Sequence, residues 1–130
     1  MSWVQMEVRE LKEGRYIIIE NEPCKIMSIS ISKPGKHGEA KARIDAIGLF
    51  DGTKRSVIYP TKHKVQVPVI EKKAAQVLNL VVGKDSVQLM DMSSYEVFEI
   101  NFTEEDRPYL EPGKEVLCME ALGRRKIIRQ

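Results

Sequence analysis

Met27-Ser28-Ile29-Ser30-Ile31-Ser32, Lys33-Pro34-Gly35-Lys36-His37-Gly38-Glu39 and Ala40-Lys41-Ala42-Arg43-Ile44-Asp45-Ala46 follow one another without a break, two alternating runs around one glycine-bracketed loop. Alternation of apolar and polar residues is the period of a half-buried strand, so the stretch predicts a long hairpin. Just upstream, Cys24 and Ile26 fall on one parity and Met27, Ile29 and Ile31 on the other. A slip of that kind predicts a β-bulge near Ile26, which bends a strand as small barrels require. Gly35 and Gly38 can take positive φ and leave the backbone uncovered, while Pro34 fixes its own φ and biases Lys33 toward an extended shape. Lys36 therefore stands on a shaped, uncrowded, polar loop.

The plainest use of such a lysine is solubility, in a solvated turn. A phosphate-cradling Walker loop needs glycine five residues before the Gly-Lys pair and Ser or Thr after it. Ser30 and His37 hold those places, which excludes it. A catalytic lysine with His37 or Glu39 as base needs desolvation to lower its pKa, and this polar loop offers none.

Working outward, Ser2 to Glu7 reads as a short extended segment with Trp3 as a packing anchor, and Leu11 to Gly14 as a turn. Tyr16 to Ile19 is a short strand stopped by Glu20-Asn21-Glu22-Pro23. After Ala40 to Phe50, Asp51-Gly52 signals a hairpin into Lys54 to Tyr59. Pro60 to Lys64 reads as a turn and Val65 to Val67 as a last short strand. Pro68 to Lys73 is the expected boundary, with Glu71-Lys72-Lys73 exposed, giving domains 1–69 and 70–130. The second half then reads as strands Ala75 to Val82, Ser86 to Met90, Tyr95 to Phe102 and Glu115 to Leu122, closing on Arg124-Arg125-Lys126 and Ile127-Ile128. Thr103 to Asp106 is expected to cap one helical turn before Pro108. Short strands joined by turns, with no helical period, predict an all-β chain of small barrels, and five strand-like runs in the second half are compatible with an OB-fold.

The net charge is +2, and 31% of residues are charged, somewhat above the ~25% of an average soluble protein. The positive charge is concentrated. Between Lys33 and Lys64, Lys33, Lys36, Lys41, Arg43, Lys54, Arg55, Lys62 and Lys64 face only Glu39, Asp45 and Asp51. A face of that kind suits a polyanion such as RNA, where each neutralised phosphate releases counterions. Tyr95, Phe98, Phe102 and Tyr109 are the candidate base-stacking platforms of the second half, but they sit among acids and read mostly as core. Arg124, Arg125, Lys126 and Arg129 are its candidate phosphate contacts. Cys24 and Cys118 have no Cys-x-x-Cys or His-x-x-His company, so neither a metal site nor a disulfide framework is indicated, and both read as small buried apolar residues. Apolar runs are far below the ~20 residues that span a bilayer and the acidic start is no signal peptide, which together predict a cytoplasmic protein without membrane contact.

The loop Ser32-Lys33-Pro34-Gly35-Lys36-His37-Gly38, followed by Ala40-Lys41-Ala42, closely resembles the modification loop of the translation initiation factor 5A family, relatives of bacterial elongation factor P. Leu11-Lys12-Glu13-Gly14 leading into Tyr16-Ile17-Ile18-Ile19, Pro23-Cys24-Lys25-Ile26 and Val67-Pro68-Val69-Ile70 extend the resemblance over nearly the whole chain. It implies an SH3-like N-terminal domain carrying the loop and a C-terminal OB-fold. It also implies that Lys36 is converted to deoxyhypusine or hypusine by transfer of an aminobutyl group from spermidine, catalysed by deoxyhypusine synthase, whose nicotinamide cofactor stays on that enzyme. The chain itself would hold no cofactor or metal and catalyse nothing.

On this resemblance the partners are the ribosome, with tRNA and rRNA, the protein is a monomer, and its role is to promote peptide-bond formation at stalling sequences. Lys33, Pro34, Gly35, His37 and Gly38 would shape the loop, and Lys41, Arg43, Lys54 and Arg55 would contact RNA. Pro34 stands where eukaryotic members have threonine, and Glu39 also departs from them, which bears on whether a eukaryotic synthase accepts the loop. The competing class is an unmodified single-stranded RNA-binding or RNA-chaperone module working through the OB half.

Overall fold

The computed structural model describes residues 2–33 and 38–128. Pro34, Gly35, Lys36 and His37, together with Met1, Arg129 and Gln130, lie outside the described residues. The chain is all-β and divides into two units, Met1–Val69 and Ile70–Gln130, the first an SH3-like barrel and the second an OB-fold.

In the first unit, β1 (Trp3–Glu7) pairs antiparallel with β6 (Lys64–Pro68), and β2 (Tyr16–Ile19), β3 (Glu22–Ser32), β4 (Lys41–Gly48) and β5 (Lys54–Pro60) form a four-stranded meander. Glu20 and Asn21 join β2 to β3 with both φ angles positive, the geometry that matches the twist of a tight hairpin. The register of β3 against β4 shifts between Ile26 and Ser28, so the bulge lies where the parity slip predicts it. Val8, Ile17, Ile26, Ile44 and Val65 fill the core with Cys24. A 3-10 turn, Val8–Glu10, follows β1 and buries Val8, a detail the sequence pattern did not give.

In the second unit, β7 (Glu71–Leu80), β8 (Ser86–Asp91), β9 (Val97–Asn101), β10 (Glu115–Ala121) and β11 (Arg124–Ile128) order as β11-β10-β7-β8-β9. Val77, Val87, Leu89, Phe102, Leu110 and Cys118 form its core.

Three expectations need correction here. Glu71 and Lys72 are exposed as expected, but Glu71-Lys72-Lys73 is the start of β7 rather than a connection before it, paired with Glu120, Met119 and Cys118. Lys73 reaches the Glu71 and Glu120 carboxylates at 3.5 and 3.7 Å, so charged residues sit in this strand by pairing across it. Strand β9 begins at Val97, because Tyr95 is drawn into the β8–β9 turn with φ at 62°. The helical turn is a 3-10 turn over Arg107–Tyr109 that contains Pro108 rather than preceding it.

Candidate functional site

The last pair of the β3–β4 ladder is Ser32 with Lys41, so 33–40 form the connection that carries the lysine motif. Its returning leg is fastened to the β5–β6 turn: the Thr61 N–H donates to the Ala40 carbonyl at 3.0 Å. The turn is itself braced, with Arg9 N–H donating to the Thr61 carbonyl at 2.9 Å and Val8 N–H to the His63 carbonyl at 2.8 Å. The His63 ring stacks on Tyr59 with centroids 4.7 Å apart. A shallow cleft opens here between Lys33, Gly38 and Glu39 on one side and Pro60, Thr61 and Lys62 on the other. The sequence marked the lysine loop but not this brace, whose only trace is a proline ending β5.

Facing decides which cations stand around the loop. In an antiparallel ladder directly paired residues share a face. Lys41 and Arg43 stand on the outer face of β4, alternating with the buried Ala42, Ile44 and Ala46. Lys54 pairs with Ile47 on that outer side, and Lys33 is exposed at the loop base. Arg55 is the exception among the expected RNA contacts. It pairs with Ala46 on the inner face, its side chain only 13% exposed. Neighbouring strand positions point oppositely, so Lys54 and Arg55 cannot both face a ligand.

The Arg55 guanidinium instead grips Asp51 through two hydrogen bonds, Nη1 to Oδ1 at 3.2 Å and Nη2 to Oδ2 at 2.9 Å. Those bonds, with the Thr53 N–H donating to the same carboxylate, hold the Asp51 pKa down at about 2. Arg55 is raised in turn, chiefly by its hydrogen bonds to Asp51. Arg55 Nε is buried without a hydrogen-bond partner among the described residues, the Glu20 carboxylate lying 3.9 Å away. Burial also raises the neighbouring Cys24 thiol and pushes Cys118 up to about 11, so both cysteines are protonated core residues near neutral pH.

The acid on the outer face of β4 is Asp45. It accepts from Ser56 Oγ, from Ser28 Oγ at 3.1 Å and from Arg43 Nε at 3.4 Å, and these partners, Ser56 first, hold its pKa below the usual carboxylate value. In the second unit, Phe98 and Phe102 pack on the core as expected, but Tyr95 is 70% and Tyr109 42% exposed. Arg125, expected at phosphate, lies over the Phe98 ring at 4.2 Å and pairs with Glu96 and Glu120. Among the described residues no group of three His, Cys, Asp or Glu side chains is placed to hold a metal, and no helix is long and apolar enough to cross a membrane.

These features have close counterparts. Residues 3–63 match the family described as translation initiation factor 5A-like, N-terminal. Translation initiation factor 5A of Picrophilus torridus is 57% identical over 130 residues, covering 100% of this chain and 99% of that one. The Archaeoglobus fulgidus protein of the same name is 54% identical over 125 residues, with 96% of each chain covered. The solved structure of eukaryotic translation initiation factor 5A from Methanococcus jannaschii superposes with a TM-score of 0.90 at 45% identity, covering 98% of this chain and 94% of that one. A Naegleria fowleri protein of the family superposes at 0.80 with 32% identity, covering 99% and 98%. An SH3-like barrel with a braced lysine loop, an OB-fold after it, and identity sustained from end to end place this chain in the translation initiation factor 5A family.

Proposed function

We propose that this translation factor binds the ribosome beside the peptidyl-tRNA and promotes peptide-bond formation at stalling sequences through a hypusine-type modification of Lys36. What supports the reading most directly is the fastening of the Lys36-bearing connection, by the Thr61–Ala40 hydrogen bond, to a face on which Lys33, Lys41, Arg43 and Lys54 are exposed. Transfer of an aminobutyl group from spermidine to the Lys36 Nζ breaks the bond from that butyl carbon to the secondary amine of spermidine and releases 1,3-diaminopropane. It keeps the positive charge on Lys36 while adding a second amine on a longer arm. Such an arm reaches phosphate or ribose groups in an RNA-lined crevice that lysine alone does not.

Gly35 and Gly38 permit close approach of the backbone, and His37 donates to or stacks on the same RNA. Lys33, Lys41, Arg43 and Lys54 set register by salt-sensitive phosphate contacts. Arg55 belongs to the barrel and leaves this set. The partners are ribosomal RNA, tRNA and deoxyhypusine synthase, which supplies the redox cofactor; the chain acts as a cytoplasmic monomer without catalysing a reaction.

Peptide mapping across residues 32–41 of protein from its native source tests this directly. A Lys36 peptide heavier by the aminobutyl group is the expected result, whereas an unmodified Lys36 leaves the RNA-chaperone alternative. Lys36→Arg retains folding and general RNA affinity and abolishes stimulation of peptide-bond formation; equal stimulation by that variant refutes the reading.

A further inference from the structure

The outer face of the β3–β4–β5 ladder carries a pattern that strand stability does not call for. Ser28, Ser30 and Ser32 stand at every second position of β3, directly opposite Asp45, Arg43 and Lys41. On the other side of β4, Ser56, Ile58 and Pro60 face the same three residues. A half-exposed strand favours β-branched and aromatic residues, whereas a serine hydroxyl competes for local backbone groups. The acid of this face is already committed, since Asp45 accepts from Ser28, Ser56 and Arg43. What remains toward solvent is Ser30 and Ser32 beside Arg43 and Lys41, with Ile58, 64% exposed, flanking Arg43.

We infer that this face binds the ribose–phosphate backbone of folded RNA across its minor groove and tells RNA from DNA through the hydroxyls of Ser30 and Ser32. The inference rests on the reading that the chain works among RNA, and adds which part of the RNA it touches. A-form RNA displays its 2′-hydroxyls in a wide, shallow minor groove against which a three-stranded sheet face can lie. Hydroxyls on alternate strand residues are about 6.6–6.8 Å apart, near the length of one sugar–phosphate repeat. Lys41 and Arg43 supply the phosphate contacts, and Ile58 lies against sugar carbons. The described part of the face carries no Asn or Gln, and the adenine N6/N7 edge that those side chains read lies in the major groove, so the contacts assigned to Ser30, Ser32, Lys41 and Arg43 are to ribose and phosphate.

The test uses the full chain, produced without the synthase so that Lys36 is unmodified, in anisotropy titrations at fixed salt. Three labelled hairpins of one sequence serve as ligands: RNA, DNA and 2′-O-methyl RNA, the last keeping A-form geometry while losing the hydroxyl donor. RNA is expected to bind about tenfold more tightly than the other two, as for one or two hydrogen bonds per site. Ser30→Ala combined with Ser32→Ala brings RNA down to the DNA level and leaves DNA unchanged, while Arg43→Gln weakens all three together. Equal affinity for the three hairpins, no binding to any, or an RNA preference that survives the serine change overturns the inference. The hairpin series needs no variant, so a folding defect cannot mask the answer. Since no modification or translation is measured, this inference and the role of Lys36 can fail independently.

Discussion

Arg55 and Asp51 clasp one another at the β4–β5 turn, two nitrogens on two oxygens at 3.2 and 2.9 Å, with the Thr53 N–H as a third donor to the same carboxylate at 3.0 Å. Fork-on-fork pairing fixes geometry as well as charge, and here it ties the β4–β5 turn to the start of β5.

Acid should therefore loosen the first unit in a defined window. The Asp51 pKa is lowered from 3.8 to about 2, so its contribution is fully present above about pH 4 and is lost as pH falls through about 2. Melting temperatures measured between pH 5 and 2 are expected to fall with a slope that flattens in Asp51→Asn. An unchanged slope in that variant contradicts the assignment.

Gly48 lies beneath the same clasp. A Cβ built there meets Asp51 Oδ1 at 1.9 Å and Arg55 Nη1 at 3.0 Å. The carboxylate is held from three sides and does not swing away freely, so Gly48→Ala is expected to cost about 1–3 kcal/mol in denaturant unfolding. Most of that cost should vanish in an Asp51→Ala background.

Facing separates the cations by experiment. Arg43→Gln and Lys54→Gln should each weaken RNA binding and lower the slope of log affinity against log salt by about one. Arg55→Gln should leave that slope alone and lower the melting temperature. The reverse pattern would place Arg55 at the ligand.

Tyr95 occupies the left-handed region at φ 62° with its side chain mostly in water. The turn around it is held by Asp91, whose Oδ1 accepts from Ser93 N and Oγ at 2.8 Å and from Ser94 N at 3.1 Å. Little packing is lost on truncation, so Tyr95→Gly should raise stability by roughly 0.5–1 kcal/mol and Tyr95→Ala should not. Thermal melts of the two variants side by side decide it.

Strand identities and the bulge were legible because period-two alternation and its slip are properties of consecutive residues. So was the place of the β3–β4 connection, through the break in alternation between Ser32 and Lys41. The facing of Arg55 was legible in principle, since it follows Lys54 by one residue, but charge alone grouped the two. Long-range pairing hid the rest. Glu71 and Lys73 resemble a linker until Glu120 is set beside them by β10. Tyr95 continues an alternating pattern until the Asp91 carboxylate closes the turn upstream of it. Arg125 looks available for phosphate until Phe98 and Glu96 arrive from another hairpin.

The irregularity between Ile26 and Ser28 also governs how this gene can change length. Cys24 and Ile26 point inward, and an uninterrupted pleat would carry Ser28, Ser30 and Ser32 inward after them. Met27 is the spare residue that resets the count. Deleting its codon removes the bulge yet leaves Ile26 inward and Ser28 outward, so a straighter arm keeps its facing. Deleting one residue beyond the bulge, such as Ile29, should instead turn the rest of the arm inside out, whereas removing two adjacent residues there would shorten the reach yet preserve which side chains meet water.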